Sequence, residues 1–143
     1  MIGPQQHPLR LVVLLSVALG GAVGACLRWQ LGDWFPATQE AFPWTTFGIN
    51  VSGSVLLALL PAVAAVRRHP IVAAALGAGV LGGFTTLSAY SEETRALLAA
   101  GHTGTAAIYL VGTLAACLLG VAVAERLGSR AGRDELRVEE GEL

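Results

Sequence analysis

Four long stretches without a charged side chain constrain the fold of this 143-residue chain more than any other feature. They cover residues 11–27, 41–66, 70–91 and 103–124. Each of the last two has 22 residues, and as a helix it would be roughly 33 Å long, about the thickness of the hydrocarbon core of a bilayer. Lipid offers no hydrogen-bond partner to the backbone, and the sequence lacks the alternating polarity of barrel strands. The sequence therefore predicts an all-α membrane protein with four transmembrane helices.

We expect the spans at residues 9–31, 44–66, 70–99 and 103–125, in a single domain over residues 1–124. The third span should be broken near residues 82–88, because paired glycines followed by threonine and serine form a poor continuous helix. Irregular backbone at membrane depth is tolerated only where it faces protein or water. Residues 126–143 are rich in charge and poor in large apolar side chains, which predicts a disordered tail.

The charged residues indicate how the chain lies in the membrane. They make up only 13% of the sequence, and the net charge of −1 gives no reason to expect a nucleic-acid partner. Seven arginines lie in the N-terminal lead, the turn at residues 67–68 and the tail, against Arg28 and Arg95 on the opposite side. The positive-inside rule then predicts a multi-pass protein of the cell membrane with both termini in the cytoplasm.

Polar side chains inside the spans are the first candidates for function, because they are costly to place in lipid. They are Arg28, Asn50, Ser52, Ser54, Thr85, Thr86, Ser88, Tyr90, Thr105, Tyr109 and Thr113. Apart from the arginine they are neutral, and most can donate a hydrogen bond, so they favour coordination of an anion. No Asp, Glu or His lies in the middle of a span, which argues against proton-coupled transport. Nothing resembles a nucleophile with its base or a metal-ligand cluster, so an enzyme is not expected.

Three features of the spans have two interpretations each. On the fourth span, polar residues recur every four positions on one helical face, at Thr105, Tyr109, Thr113 and Cys117. They either line a pore or bond back to their own helix carbonyls. Asn50 either lines a pore or links two helices, because a carboxamide in lipid must find partners. The four-residue spacings from Gly20 to Gly24 and from Gly79 to Gly83 permit close helix packing, within one subunit or between two.

Three segments carry motifs in a fixed order. Residues 20–28 read GGAVGACLR, residues 45–54 read TTFGINVSGS, and residues 82–93 read GGFTTLSAYSEE. They resemble the first-span glycine motif ending in arginine, the G-T-x-x-x-N-x-x-G-S/A segment and the G-G-x-T-T-F-S-T-F-S-x-E signature of the Fluc/CrcB family of fluoride channels. The resemblance covers roughly residues 9–124, and three motifs in order are far more specific than one.

The resemblance implies a fluoride-selective passive channel that lowers cytoplasmic fluoride, built as an antiparallel dimer with its pores between the subunits. By the same resemblance, the pore residues include Asn50, Thr86, Leu87, Ser88 and Tyr90. The polar spacing on the fourth span adds Tyr109 and Thr113 to the predicted pore residues. Arg28 and Glu93 would lie in the vestibule, and the backbone carbonyls of Gly82 and Thr85 would hold a structural sodium ion. Fluoride is small and strongly hydrated, so a pore must replace its water with close donors such as amide N–H groups, hydroxyls and aromatic ring edges.

Three features of the sequence affect these expectations. Leu87 replaces the first phenylalanine of the signature and has no ring edge. Tyr90 replaces the second, and would offer either its ring edge or a hydroxyl donor. An antiparallel homodimer normally needs a nearly balanced distribution of arginines, and the distribution in this chain is unequal. Two possibilities remain for the second subunit: another copy of this chain or an oppositely oriented paralogue.

Two functions of other classes are alternatives. A small multidrug exporter would also have four spans, but it would need a glutamate in the first span, and residues 11–27 contain no acid. A non-transporting membrane subunit would explain the small residues, but not a broken third helix rich in hydroxyl groups.

Overall fold

The computed structural model describes residues 6–38 and 41–141, with side-chain positions for residues 9–38 and 41–128. All regular structure in these ranges is helical. The α-helices are α1 (Gln6–Trp34), α2 (Trp44–Leu59), α3 (Ala64–Arg68), α4 (Pro70–Ala74), α5 (Gly82–Phe84), α6 (Leu87–Ala99) and α7 (Thr103–Gly141). A 3₁₀ turn (Leu60–Ala62) follows α2, and a π-helical segment (Ala75–Leu81) joins α4 to α5.

Four helical stretches of the described chain are long and apolar enough to cross a membrane. They are Leu9–Trp34, Trp44–Ala62, Pro70–Ala99 and Thr103–Gly128. Their outer faces are rich in exposed leucine and valine, and Leu19 and Leu119 are 70% and 67% exposed. Apolar faces of this extent are suited to contact with lipid or protein rather than water. The predicted fold class of four transmembrane helices is confirmed.

The regular part of the second span is shorter than the sequence predicted. α2 ends at Leu59 rather than continuing to residue 66, because Pro61 has no N–H to donate and lies in the 3₁₀ turn that follows. Val63 is then extended, with φ −80° and ψ 116°, before the short α3 begins. The guanidinium of Arg67 donates to the carbonyl oxygen of Ala62 at 3.1 Å, so the basic turn binds a backbone group at this helix end.

The third span is broken where the sequence predicted. Thr85 and Thr86 are extended, with ψ of 157° and 122°, between α5 and α6. The π-helical segment that precedes the break was not predicted. It reads ALGAGVL, and residues this small give no periodic pattern that distinguishes a π-turn from an α-turn. Such turns are frequent at functional sites, and this one leads directly into the break.

α1 packs backbone to backbone against the third span. A methyl group added to Gly24 would lie 2.0 Å from the carbonyl oxygen of Val80, and one added to Gly83 would lie 2.3 Å from that of Gly21. Both glycine pairs that the spacing singled out lie in this contact. They therefore provide close packing within one chain.

The fourth helix extends past the predicted span. α7 is helical as far as Gly141, whereas the sequence predicted a disordered tail over residues 126–143; residues 142 and 143 lie outside the described ranges. The stretch contains no proline and several good helix formers, including Arg, Glu and Leu, so the helix can continue beyond its apolar part. Low hydrophobicity predicts that this segment lacks a core of its own, which is compatible with a helical backbone.

The buried core lies between α6 and α7. Leu97, Ala106 and Tyr109 are at most 1% exposed, and the rings of Phe42 and Phe47 pack against them. Phe42 meets Tyr109 edge to face, with ring centroids 5.3 Å apart. This core fixes α6 on α7, and thereby fixes the position of the break that precedes α6.

Candidate functional site

Asn50 of α2 binds both polar groups of one residue at the break. Its Oδ1 accepts a hydrogen bond from the N–H of Thr86 at 2.8 Å, and its Nδ2 donates to the carbonyl oxygen of Thr86 at 3.0 Å. A break in a helix frees such groups, and a buried group left unpaired costs about 1–3 kcal/mol. Asn50 therefore links α2 to the break, as one of its two predicted roles requires. Its nitrogen carries a second hydrogen, so this link still leaves an N–H for a ligand.

The break also releases two backbone carbonyls from helical bonding. In a continuous helix the N–H of Thr86 would bond the carbonyl of Gly82, but here it bonds Asn50. The N–H of Ala89 bonds the hydroxyl of Thr86 at 3.1 Å, so the carbonyl of Thr85 loses its helical donor as well. Gly82 and Thr85 are the residues whose carbonyls were expected to hold sodium. Carbonyl oxygens suit a hard cation of this kind, so the residues present fit the ion.

A groove with a volume of about 440 Å³ runs beside the break. It brings together five of the seven predicted pore residues, which are Asn50, Thr86, Leu87, Tyr90 and Thr113. The described residues that line it carry no charge. The other two predicted pore residues do not line it: Ser88 shares a hydrogen bond with the hydroxyl of Thr86 at 3.2 Å, and Tyr109 is buried elsewhere.

The hydroxyl of Tyr90 already has a partner in the protein. It donates to the backbone carbonyl of Leu110 on α7, so of the two interpretations of Tyr90 the geometry favours the ring edge. The ring lies against that of Tyr109, with centroids 5.2 Å apart. Leu87 also lines the groove and is 76% exposed, but it offers only methyl groups.

The polar series on α7 does not form one continuous track. Tyr109 is fully buried, and its hydroxyl donates to Oε2 of Glu93 at 2.5 Å. Thr113 is 3% exposed and lines the groove, and its hydroxyl finds no hydrogen-bond partner in the described part of the chain. Cys117 lines the groove one helical turn further on. An unpaired buried hydroxyl indicates a bound ligand or water, so Thr113 is the member of the series that points most directly to function.

A second cavity of about 400 Å³ contains both predicted vestibule residues, Arg28 and Glu93. Oε1 of Glu93 accepts a hydrogen bond from the hydroxyl of Thr46 at 2.7 Å. Nε of Arg28 donates to the carbonyl oxygen of Gly83 at 3.2 Å. Thr86 lines both cavities. The charged residues thus lie in one cavity and the neutral donors in the other, with the break between them.

Sequence reasoning missed two residues that shape this region. Thr46 lies in the second of the three motifs, and the sequence assigned it no role. In the structure its hydroxyl donates a hydrogen bond to Glu93. A methyl group added to Gly53 would lie 2.3 Å from Cγ2 of Thr85, so this glycine makes room for the break. One signal could have found it: Gly53 lies three residues after Asn50, hence on the same face of α2.

Comparison with known proteins gives consistent matches along most of the chain. The profile of the family described as CrcB-like protein, camphor resistance (CrcB), matches residues 15–125. The fluoride-specific ion channel FluC 2 of Nocardia farcinica is 40% identical over 128 residues, which cover 88% of this chain and 89% of that protein. The fluoride-specific ion channel FluC of Thermus thermophilus is 44% identical over 118 residues, covering 80% and 91%. FluC 1 of Streptomyces coelicolor is 41% identical over 111 residues, covering 76% and 72%.

Proposed function

The chain belongs to the CrcB family. We propose that it is a passive, fluoride-selective channel, in agreement with its relatives, which are named fluoride-specific ion channels. It is a multi-pass protein of the cell membrane, and it lowers fluoride toxicity in the cytoplasm by letting the ion leave down its gradient. The observation that carries this function is the groove at the break. There an amide, a hydroxyl and an aromatic ring line one uncharged cavity.

The donors in the groove suit fluoride because the ion must exchange tightly bound water for donors of comparable strength. The second N–H of Asn50, the hydroxyl of Thr113 and the ring edge of Tyr90 are such donors. A guanidinium among them would hold the anion too strongly to release it. Arg28 lines the other cavity, where its Nε donates to a backbone carbonyl. Neutral donors therefore favour passage over trapping.

The second subunit is part of the proposal. Leu87 lines the groove and is 76% exposed, so the groove needs a cover. An oppositely oriented subunit would supply it, and the unequal distribution of arginines gives this chain one preferred orientation. The partner is then another copy forced into the opposite orientation or a paralogue with the opposite bias. Fluoride conduction by the purified single product would exclude an obligate paralogue.

A bound sodium ion is a further part of the proposal. It is supported by the carbonyls of Gly82 and Thr85, which lose their helical hydrogen-bond donors because of the contacts that Thr86 makes. Bound there, the ion would supply a fixed positive charge beside the break. Equal melting temperatures in sodium and in choline salts would contradict this role.

The charge carried by the transported ion tests the proposed function. Liposomes that hold the purified protein and potassium fluoride at neutral pH should release fluoride rapidly only after valinomycin is added. A channel moves the anion's charge alone, so potassium must follow before bulk release can occur. An imposed pH gradient should leave the initial rate unchanged. Rapid release without valinomycin, or release that depends on the pH gradient, would indicate a coupled carrier and contradict the proposal.

Thr113→Val should separate conduction from stability. Valine has nearly the same shape, and the hydroxyl it removes has no partner in the described part of the chain, so the free energy of unfolding should not fall. Removing an unpaired buried hydroxyl could even stabilise the protein by about 1 kcal/mol. Fluoride release should slow by roughly tenfold, which corresponds to about 1.4 kcal/mol in the barrier.

Thr94→Val is the matched control, because it removes a hydrogen bond to the carbonyl of Tyr90. It should lower the free energy of unfolding and leave the rate of fluoride release close to that of the wild type. Unchanged fluoride release in Thr113→Val would show that this hydroxyl is not a donor to the ion.

Tyr90→Phe should leave fluoride release within about threefold of the wild-type rate, a change of less than about 0.7 kcal/mol in the barrier. The variant keeps the ring edge and loses only the bond from the hydroxyl to the Leu110 carbonyl. Tyr90→Leu, which removes the ring, should slow release much more. If both variants were equally slow, the hydroxyl rather than the ring edge would be the important group.

A further inference from the structure

Cys117 is a nucleophile in the groove that the proposed fluoride pathway does not use. It is half-buried, and it lines the groove with Asn50, Tyr90 and Thr113. The second cysteine, Cys26, is exposed on α1 beside apolar side chains that are themselves exposed, a face suited to lipid. The two thiols thus have different surroundings, which makes each a control for the other.

A second observation points to a small polar ligand or a water molecule in the groove beside Cys117. Thr113 lies one helical turn before the cysteine, is 3% exposed and has a hydroxyl with no hydrogen-bond partner among the described residues. Such a hydroxyl requires a water molecule or a ligand in the adjoining space. Access of water permits a thiol to ionise, and the thiolate is the form that reacts.

We propose that Cys117 is a modification site that controls the channel: small water-soluble thiol reagents reach its Sγ, and the adduct blocks the groove. The inference deepens the proposed function and rests on it, because the consequence of the reaction is a loss of fluoride conduction. The cysteine faces the same uncharged cavity as the neutral donors, so a group attached to its sulfur occupies space that the ion needs.

A methanethiosulfonate reagent carries out the reaction with a simple balance. The thiol of Cys117 gives its proton to water, and the thiolate attacks the divalent sulfur of the reagent. A new disulfide bond forms as the S–S bond of the thiosulfonate breaks, and methanesulfinate leaves with the electron pair. The thiol is oxidised and the reagent is reduced. A dithiol such as dithiothreitol reverses the change by reducing the new disulfide.

The test uses full-length protein in liposomes and the probe 2-sulfonatoethyl methanethiosulfonate. In Cys26→Ser, which keeps the thiol in the groove, the reagent should add one group per chain by intact mass and slow fluoride release at least tenfold. Dithiothreitol should restore the rate. In Cys117→Ser, which keeps the thiol on α1, the rate after treatment should equal the rate before it. Comparing each variant with itself removes any effect of the substitution on basal conduction.

Two results would overturn the proposal. One is an adduct on Cys117 that leaves fluoride release unchanged, since the thiol would then lie off the ion's path. The other is no adduct in the folded protein although the denatured protein reacts, since the reagent would then not reach the thiol. If neither the unsubstituted protein nor Cys26→Ser released fluoride, alone or together with an oppositely oriented paralogue, the proposed function would fail instead, and the intact mass would still show whether the reagent reaches Cys117.

Discussion

Gly24→Ala is expected to destabilise the helical bundle strongly. The added methyl group would lie 2.0 Å from the carbonyl oxygen of Val80 and 2.8 Å from the backbone nitrogen of Phe84. Neither atom belongs to a flexible side chain, so α1 would have to move away from the third span. Overpacking of a core typically costs 1–3 kcal/mol, and we expect about 3 kcal/mol or more for a clash with backbone. That corresponds to a fall of about 10 °C in the melting temperature.

Gly32→Ala on the same helix is the matched control, because a methyl group there has no other atom within 4 Å in this chain. It should leave the melting temperature unchanged or slightly raised, since alanine favours a helix over glycine by up to about 1 kcal/mol. Size-exclusion chromatography in detergent and thermal melting measure both variants. A Gly24→Ala protein that is monodisperse and melts with the wild type would show that α1 and the third span do not pack as closely as described.

Asn50→Ala is expected to slow fluoride release at least about 100-fold, which corresponds to about 2.7 kcal/mol in the barrier. The variant loses both hydrogen bonds to Thr86, so the N–H and the carbonyl of that residue are left without their partner. It also removes the remaining amide N–H from the groove. Because the break and the donor are lost together, the effect should exceed that of any single hydroxyl.

Ser52→Ala is the control for Asn50→Ala, since Ser52 lies two residues further along α2 and its hydroxyl bonds only to carbonyls of its own helix. It should release fluoride at close to the wild-type rate. Comparing both variants by initial efflux at equal protein density, after checking that each is monodisperse, separates loss of conduction from loss of folding. Near wild-type release by Asn50→Ala would show that the link to Thr86 is not needed for conduction.

The spans and the break could be predicted because local composition specifies them. An uncharged stretch of 22 residues and a glycine pair before two threonines are visible without knowing what packs against them. The early end of α2 and the π-helical segment Ala75–Leu81 were missed. The end of α2 follows from Pro61, a signal that the sequence carries but that the predicted span did not use. The π-helical segment depends on which carbonyl each backbone N–H reaches, and its small residues leave that competition undecided in the sequence.

The candidate site shows the same limit in its side chains. The sequence indicated that Asn50 needs partners, but its partner Thr86 lies 36 residues away, and only the packing of α2 on the break brings them together. Tyr109 was expected in the pore because it shares a helical face with Thr113. Instead its hydroxyl donates to Glu93, and only Thr113 of the two lines the groove. Helical periodicity places residues on one face, but it does not specify which neighbour each of them meets.

The most direct test of a fluoride-selective channel is to compare the initial rates at which fluoride and chloride leave liposomes that contain the purified protein. The chain is reconstituted alone and, in parallel, with an oppositely oriented paralogue. We predict that in at least one of these preparations fluoride leaves at least about 100-fold faster than chloride, a difference of about 2.7 kcal/mol in the barrier. Comparable rates for the two anions, or no release of fluoride from either preparation, would contradict the account.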